Sequence, residues 1–97
     1  MNHIFLSQAK DEYRDAVTWY ELQRSGLGDE FSEEVENAIA KLKENPKTWQ
    51  SFPKGGHRYR MMRFPYDIVY LVDADEIFIV AIGHLSRRPG YWKSRLK

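Results

Sequence analysis

The chain has no cysteine, so neither a disulfide framework nor a thiolate metal site can form, a composition that suits a reducing cytoplasm. Four prolines and six glycines are scattered along 97 residues, with no low-complexity tract and no internal repeat. Long apolar runs are missing as well. The stretch Met1-Asn2-His3-Ile4-Phe5-Leu6 meets charge by Lys10, too short for the apolar region of a signal peptide, and nothing approaches membrane-spanning length. These absences lead us to expect a cytoplasmic protein with no membrane partner. Metal ligation and cofactor chemistry are not indicated: His3, His57 and His84 show no ligand spacing. Lys54-Gly55-Gly56 lacks the spacing and the Ser/Thr of a phosphate-binding loop, and no serine sits in a nucleophile elbow.

What is present favours a folded globule. Apolar residues make up 42% of the chain and aromatics 14%, enough to build one core, and the length predicts a single domain over residues 1–97. A net charge of +1 conceals an asymmetry. Residues 1–50 hold six Lys/Arg against ten Asp/Glu, whereas residues 51–97 hold nine against four. The final fourteen residues, His84 to Lys97, carry five cations, two large aromatics and no carboxylate. They follow directly on Ile77-Phe78-Ile79-Val80-Ala81-Ile82-Gly83, the most apolar run, so an anchored strand is expected to deliver a cationic, aromatic segment to the surface. Such a surface attracts polyanions, whether nucleic acid or an acidic protein.

Hydrophobic spacing divides the chain into a helical half and a sheet half. His3 to Leu6 reads as a short strand, and Ser7 is placed to cap a helix with Asp11 and Glu12 near its positive end. Over Gln8 to Gln23, Ala9, Tyr13, Ala16, Val17 and Tyr20 recur at spacings of three and four, with Trp19 off the stripe. Arg24 to Asp29 breaks the pattern, and a second helix follows with Leu27 or Phe31, Val35, Ala38, Ile39 and Leu42 inward, ending at Asn45-Pro46. So short a link predicts an antiparallel helical hairpin. Pro53 to Gly56 reads as a turn, Arg58 to Arg63 as an extended segment, and Tyr66 to Val72 and Ile77 to Ile82 as a hairpin turned at Asp73 to Glu76. Both hairpin strands are apolar on both faces, which places them centrally, with the helices over one face and another segment over the other. The expected fold is α+β: an N-terminal strand, an antiparallel two-helix hairpin, then a three-stranded antiparallel sheet with a basic C-terminal tail.

Six strings stand out along this layout: Ala16-Val17-Thr18-Trp19-Tyr20-Glu21, Gly26-Leu27-Gly28-Asp29-Glu30-Phe31, Glu44-Asn45-Pro46, Arg63-Phe64-Pro65-Tyr66-Asp67-Ile68-Val69-Tyr70, Gly83-His84 and Arg87-Arg88-Pro89-Gly90-Tyr91-Trp92. In this order they and the layout resemble the RelE/ParE superfamily of toxins from type II toxin–antitoxin systems. The resemblance spans essentially the whole chain. It implies a cytoplasmic growth inhibitor neutralised by a cognate antitoxin. RelE-like members cleave ribosome-bound mRNA; ParE-like members poison DNA gyrase. RNA cleavage through the 2′-hydroxyl needs a proton acceptor, a proton donor and cations for the developing phosphorane. In RelE-like enzymes lysines, arginines and a tyrosine near the C-terminus fill these roles, and Tyr91, Arg87 and Arg88 match that region. The departures are Asp67 and Leu85, which stand where those nucleases place arginines. A carboxylate repels phosphate and a leucine cannot stabilise it. We therefore read the chain as ParE-like, with no catalytic residues and with DNA gyrase as target; the alternative is a ribosome-dependent mRNA endonuclease using Arg87, Arg88 and Tyr91, and a second alternative is a non-toxic binding module.

On this reading the target-binding residues are Arg58, Arg60, Arg63, His84, Arg87, Arg88, Tyr91 and Trp92, and the antitoxin meets Trp19, Arg58 and Arg60. Each has a plainer role to set beside it. Tyr91 and Trp92 either contact a partner or fold back to cover the open face of the sheet. Arg58, Arg60 and Arg63 either form a basic stripe with the tail or pair with acids of the helices. Arg87 and Arg88, projected by the Pro89-Gly90 turn, are otherwise a solvated charge pair. His84 suits a hydrogen-bonded structural histidine as well as a contact, and Trp19 packs on the second helix or on the Pro46 to Phe52 segment if it is not exposed.

Overall fold

The two hydrophobic spacings resolve into the expected order of elements. A computed structural model describes residues 1–52 and 56–96. They form β1 (Asn2–Phe5), α1 (Ser7–Gln23), α2 (Leu27–Glu44), β2 (Gln50–Phe52), β3 (Gly56–Arg60), β4 (Tyr66–Asp73), β5 (Glu76–His84) and a terminal 3₁₀ turn, Lys93–Leu96. The fold is α+β, with both helices on one face of the sheet.

In α1 the stripe contributes Ala9 and Ala16 as fully buried contacts, while Tyr13, Val17 and Tyr20 pack at its margins. Alanines at the centre let the helix lie close to β5. The α2 stripe buries Phe31, Val35, Ala38, Ile39 and Leu42 against Tyr59, Ile68, Tyr70, Ile77, Ile79 and Ile82 of the sheet. Burying each large apolar side chain stabilises the fold by roughly 1.5–3 kcal/mol. The helices run antiparallel, because Gly28 abuts Val17 and Glu21 while Tyr13 Oη donates to Glu36 Oε2 at 2.8 Å. Gly28 is required there: a Cβ would lie 2.7 Å from the Val17 carbonyl oxygen.

Several local expectations need correction. Ser7 is the first helical residue rather than the cap; Leu6 precedes the helix and makes no side-chain cap bond, and Ser7 Oγ only reaches Gln8 Oε1 at 3.4 Å. The break between the helices spans Arg24 to Gly26, where Gly26 takes φ +90°, so Leu27 and Gly28 are already helical. The extended segment stops at Arg60, before Met61 and the bend over residues 62–65. The turn expected at 53–56 lies outside the described residues except for Gly56, which opens β3.

The sheet is larger than three strands and is mixed. Its order is β1-β5-β4-β3-β2, with β1 parallel to β5 and every other pair antiparallel. Antiparallel β2 falls in Gln50–Phe52, too short a run to show a period of two. In the β4–β5 register Val69 faces Ala81 and Tyr70 faces Ile79, so Val80 is the extra residue of a bulge. As a result Val80 and Ala81 both turn to the face away from the helices, where they are buried with Val69. Tyr91, Trp92 and Leu96 of the tail pack onto that patch together with Phe52 and Leu71. The open face is thus covered by the C-terminal segment.

Candidate functional site

Period-two alternation along β3 sends Tyr59 into the core and Arg58 and Arg60 to the tail-covered face. Register then aligns Arg60 with Asp67 of β4, and Asp67 with Gly83 of β5. Asp67 is mostly shielded and bridges both arginines: Arg60 Nε donates to Oδ1 at 2.7 Å, and Arg58 Nε lies 3.7 Å from Oδ2. Arg58 also donates to Gln50 Oε1 at 2.9 Å. The next position of the row, Gly83, supports Tyr91. A Cβ on Gly83 would collide with the Tyr91 hydroxyl and stand 3.0 and 3.1 Å from its Cε1 and Cζ, so only glycine lets the tail come this close.

Tyr91 is held from three sides. Its hydroxyl donates to Glu12 Oε2 at 2.8 Å, the Arg87 guanidinium stacks over its ring at 3.9 Å, and Arg95 approaches at 5.2 Å. Burial, then the hydrogen bond to Glu12 and its negative charge, push the phenol well above its usual range; Arg87 and Arg95 only partly oppose this. Arg95 grips the same carboxylate through both terminal nitrogens, Nη1 to Oε1 at 2.9 Å and Nη2 to Oε2 at 3.0 Å. That bidentate bond raises the Arg95 pKa.

Seven of the eight residues expected to bind the target, Arg58, Arg60, His84, Arg87, Arg88, Tyr91 and Trp92, therefore line one groove of about 140 Å³. Arg63 does not join them. It pairs with Glu30 of α2 and lies over Phe64, on the helical side. The Arg63 hydrogen bond is the first cause that lowers the Glu30 pKa. His84 has a structural duty: Nδ1 accepts from the Ser86 amide at 3.0 Å, and its ring meets Tyr66 edge-on. Trp92 stacks on Phe52 at 5.0 Å. Arg88 is exposed and has no ion pair among the described residues.

Trp19 is 55% exposed on α1, meeting Tyr20 edge-on at 5.2 Å. It lines a second, mainly apolar groove of about 600 Å³ with Ala16, Tyr20, Pro65, Tyr66 and Ile82. The two grooves meet at His84 and Arg87, which line both. Arg58 and Arg60, which the sequence reading shares between target and antitoxin, lie only in the first groove.

The sequence reading gives Glu12 only a place near the positive end of α1 and gives Arg95 no role of its own. Glu12 carried a signal, since it lies three residues after Ala9 and four before Ala16, on the buried flank of the α1 stripe. A carboxylate in that setting needs a cationic partner. Nothing distinguishes Arg95 from the other cations of the tail.

Among the described residues no helix is long and apolar enough to cross a membrane. A family model described as ParE toxin of type II toxin–antitoxin system, parDE, matches residues 4–89. No curated protein matches the chain. Among solved structures, a chain from the chromosomal ParDE TA system of P. aeruginosa superposes with a TM-score of 0.63 at 16% identity, over 87% of this chain and 95% of that one. At that identity the likeness is one of fold.

Proposed function

We propose, from the premise that the chain belongs to the family of ParE toxins of type II toxin–antitoxin systems, that it arrests growth in the cytoplasm by binding DNA gyrase without bond-breaking chemistry of its own. A cognate antitoxin neutralises it. The working surface is the cationic groove, with Arg60, Arg87 and Arg88 as its exposed charges and Arg58, His84, Tyr91 and Trp92 around them.

One observation carries the choice of binding over catalysis. The Tyr91 hydroxyl is spent on Glu12, and its proton is held more tightly than in a free phenol. Such a group does not accept a proton from a ribose hydroxyl near neutral pH. Asp67 beside Arg58 and Arg60 weakens their attraction for a phosphate in the same place. Contact with a protein surface tolerates both features. The antitoxin is acidic where it meets the arginines and apolar where it meets the Trp19 groove, because those are the complementary chemistries.

Induced expression without antitoxin is expected to stop growth, and purified protein to block gyrase supercoiling while leaving ribosome-bound mRNA intact. Codon-dependent mRNA cuts would reverse the assignment in favour of a ribosomal nuclease. Harmless expression of folded protein would leave only a non-toxic binding module.

A further inference from the structure

Parallel β1 covers the outer edge of β5 only as far as Ile79. Beyond that point the outer edge of β5, opposite β4, has no neighbouring strand among the described residues, and two side chains replace one. Glu12 Oε1 accepts the Ile82 amide at 3.0 Å, and Arg95 Nη1 donates to the carbonyl of Val80, the extra residue of the bulge, at 3.0 Å. The two side chains are joined to each other by the bidentate ion pair, and both are only 14% exposed. Backbone groups that would otherwise lose their partners are satisfied by helix α1 on one side and the tail on the other.

The Leu85 amide donates to Pro65 O at 2.9 Å, but beyond it the tail's backbone hydrogen bonds are local. Tyr91 N to Arg88 O, Lys93 N to Gly90 O and Arg95 N to Trp92 O set its turns but not its place on the molecule. Its place comes from the apolar contacts of Tyr91, Trp92 and Leu96 and from the polar anchors just described. Most of those polar anchors end on a single carboxylate. Glu12 fixes the Tyr91 hydroxyl, the Tyr91 ring carries the Arg87 guanidinium, and Arg87 Nη1 itself stands 3.8 Å from Glu12 Oε2.

We infer that Glu12 is the positioning residue of the cationic groove: by latching Tyr91 and Arg95 it holds the tail on the sheet and sets the direction in which Arg87 and Arg88 are presented. The effect on gyrase rests on the function proposed above; the latch does not.

The test compares the full-length protein with Glu12→Gln, which keeps the shape and removes the charge, by amide hydrogen exchange and by gyrase inhibition at equal folded concentration. Losing charge-assisted bonds of this kind should speed exchange of the amides of residues 91–95 by about tenfold or more, with α2 and residues 68–72 of β4 unchanged. The half-inhibitory concentration should rise by a similar factor. Unchanged tail exchange, or an equal acceleration everywhere, would overturn the inference, the second because it marks a role in stability alone. If Glu12→Gln does not fold, Tyr91→Phe removes only the hydroxyl from the latch and is judged by the same exchange pattern. Arg87→Ala with Arg88→Ala separates the two claims. Full potency in that variant would refute the groove as the gyrase surface, while the exchange pattern of Glu12→Gln would still decide the latch.

Discussion

Gly83→Ala tests how the tail is seated. The added methyl would occupy the site of the Tyr91 hydroxyl and press on two ring carbons at 3.0 and 3.1 Å. Because Gly83 sits in a hydrogen-bonded strand between Asp67 and its own neighbours, the side chain must yield rather than the backbone. Moving Tyr91 breaks its 2.8 Å bond to Glu12 and disturbs the Arg87 stack. A hydrogen bond to a charged group contributes about 1.5–3 kcal/mol. The strand gains about 0.5–1 kcal/mol from replacing glycine with alanine. The net loss should be about 1.5 kcal/mol, lowering the urea midpoint by about 0.5–1.5 M in far-UV circular dichroism. The decisive comparison is in a Tyr91→Ala background. There the obstructing ring is gone, and Gly83→Ala should become neutral or slightly stabilising, a coupling of about 2 kcal/mol between the two positions. Additive effects would show that Gly83 is needed for some reason other than Tyr91, and the account of the tail's seat would fail.

Two further outcomes follow from the packing. Gly28→Ala should destabilise by about 1–3 kcal/mol despite alanine's better helix propensity, because its Cβ would press on the Val17 carbonyl; a stabilised variant in thermal unfolding would contradict the close approach of the helices. Stability should also fall at alkaline pH. Burial raises the pKa of Tyr13 to about 12, and it also raises those of Tyr20, Tyr66, Tyr70 and Tyr91. Each fold-raised phenol contributes stability that is complete below the unfolded value near 10 and is lost as pH climbs through the folded value. Urea midpoints measured from pH 8 to 11.5 should therefore decline above pH 10, and a flat profile would contradict the burial of these rings.

The elements that announced themselves in the sequence were those with strong periodicity. Ala9 to Tyr20 and Phe31 to Leu42 repeat at helical spacing, and the β4–β5 hairpin closes with Asp73 paired to Glu76 around the turn residues Ala74 and Asp75. β2 stayed hidden because three residues carry no period, and Gln50–Phe52 becomes a strand only by pairing with β3. The parallel placement of β1 was equally invisible, since which edge a strand joins depends on residues more than seventy positions away. For the site, the cationic and aromatic character of Arg87 to Trp92 could be read directly. That Arg63 points instead to Glu30, with Arg58 and Arg60 shared by Asp67, could not.

The sequence by itself determined the class of fold, the ParE-like resemblance and the composition of the tail, because hydrophobic spacing, turn residues and charge are local properties that survive without three-dimensional context. Tertiary structure alone decided where the tail lies and what it can offer. Its position depends on Gly83 leaving room for a ring, on a bulge that turns Val80 outward, and on a helical carboxylate meeting Tyr91 and Arg95 across about eighty residues of chain. Such contacts are set by the register and packing of distant elements, and no local pattern records them.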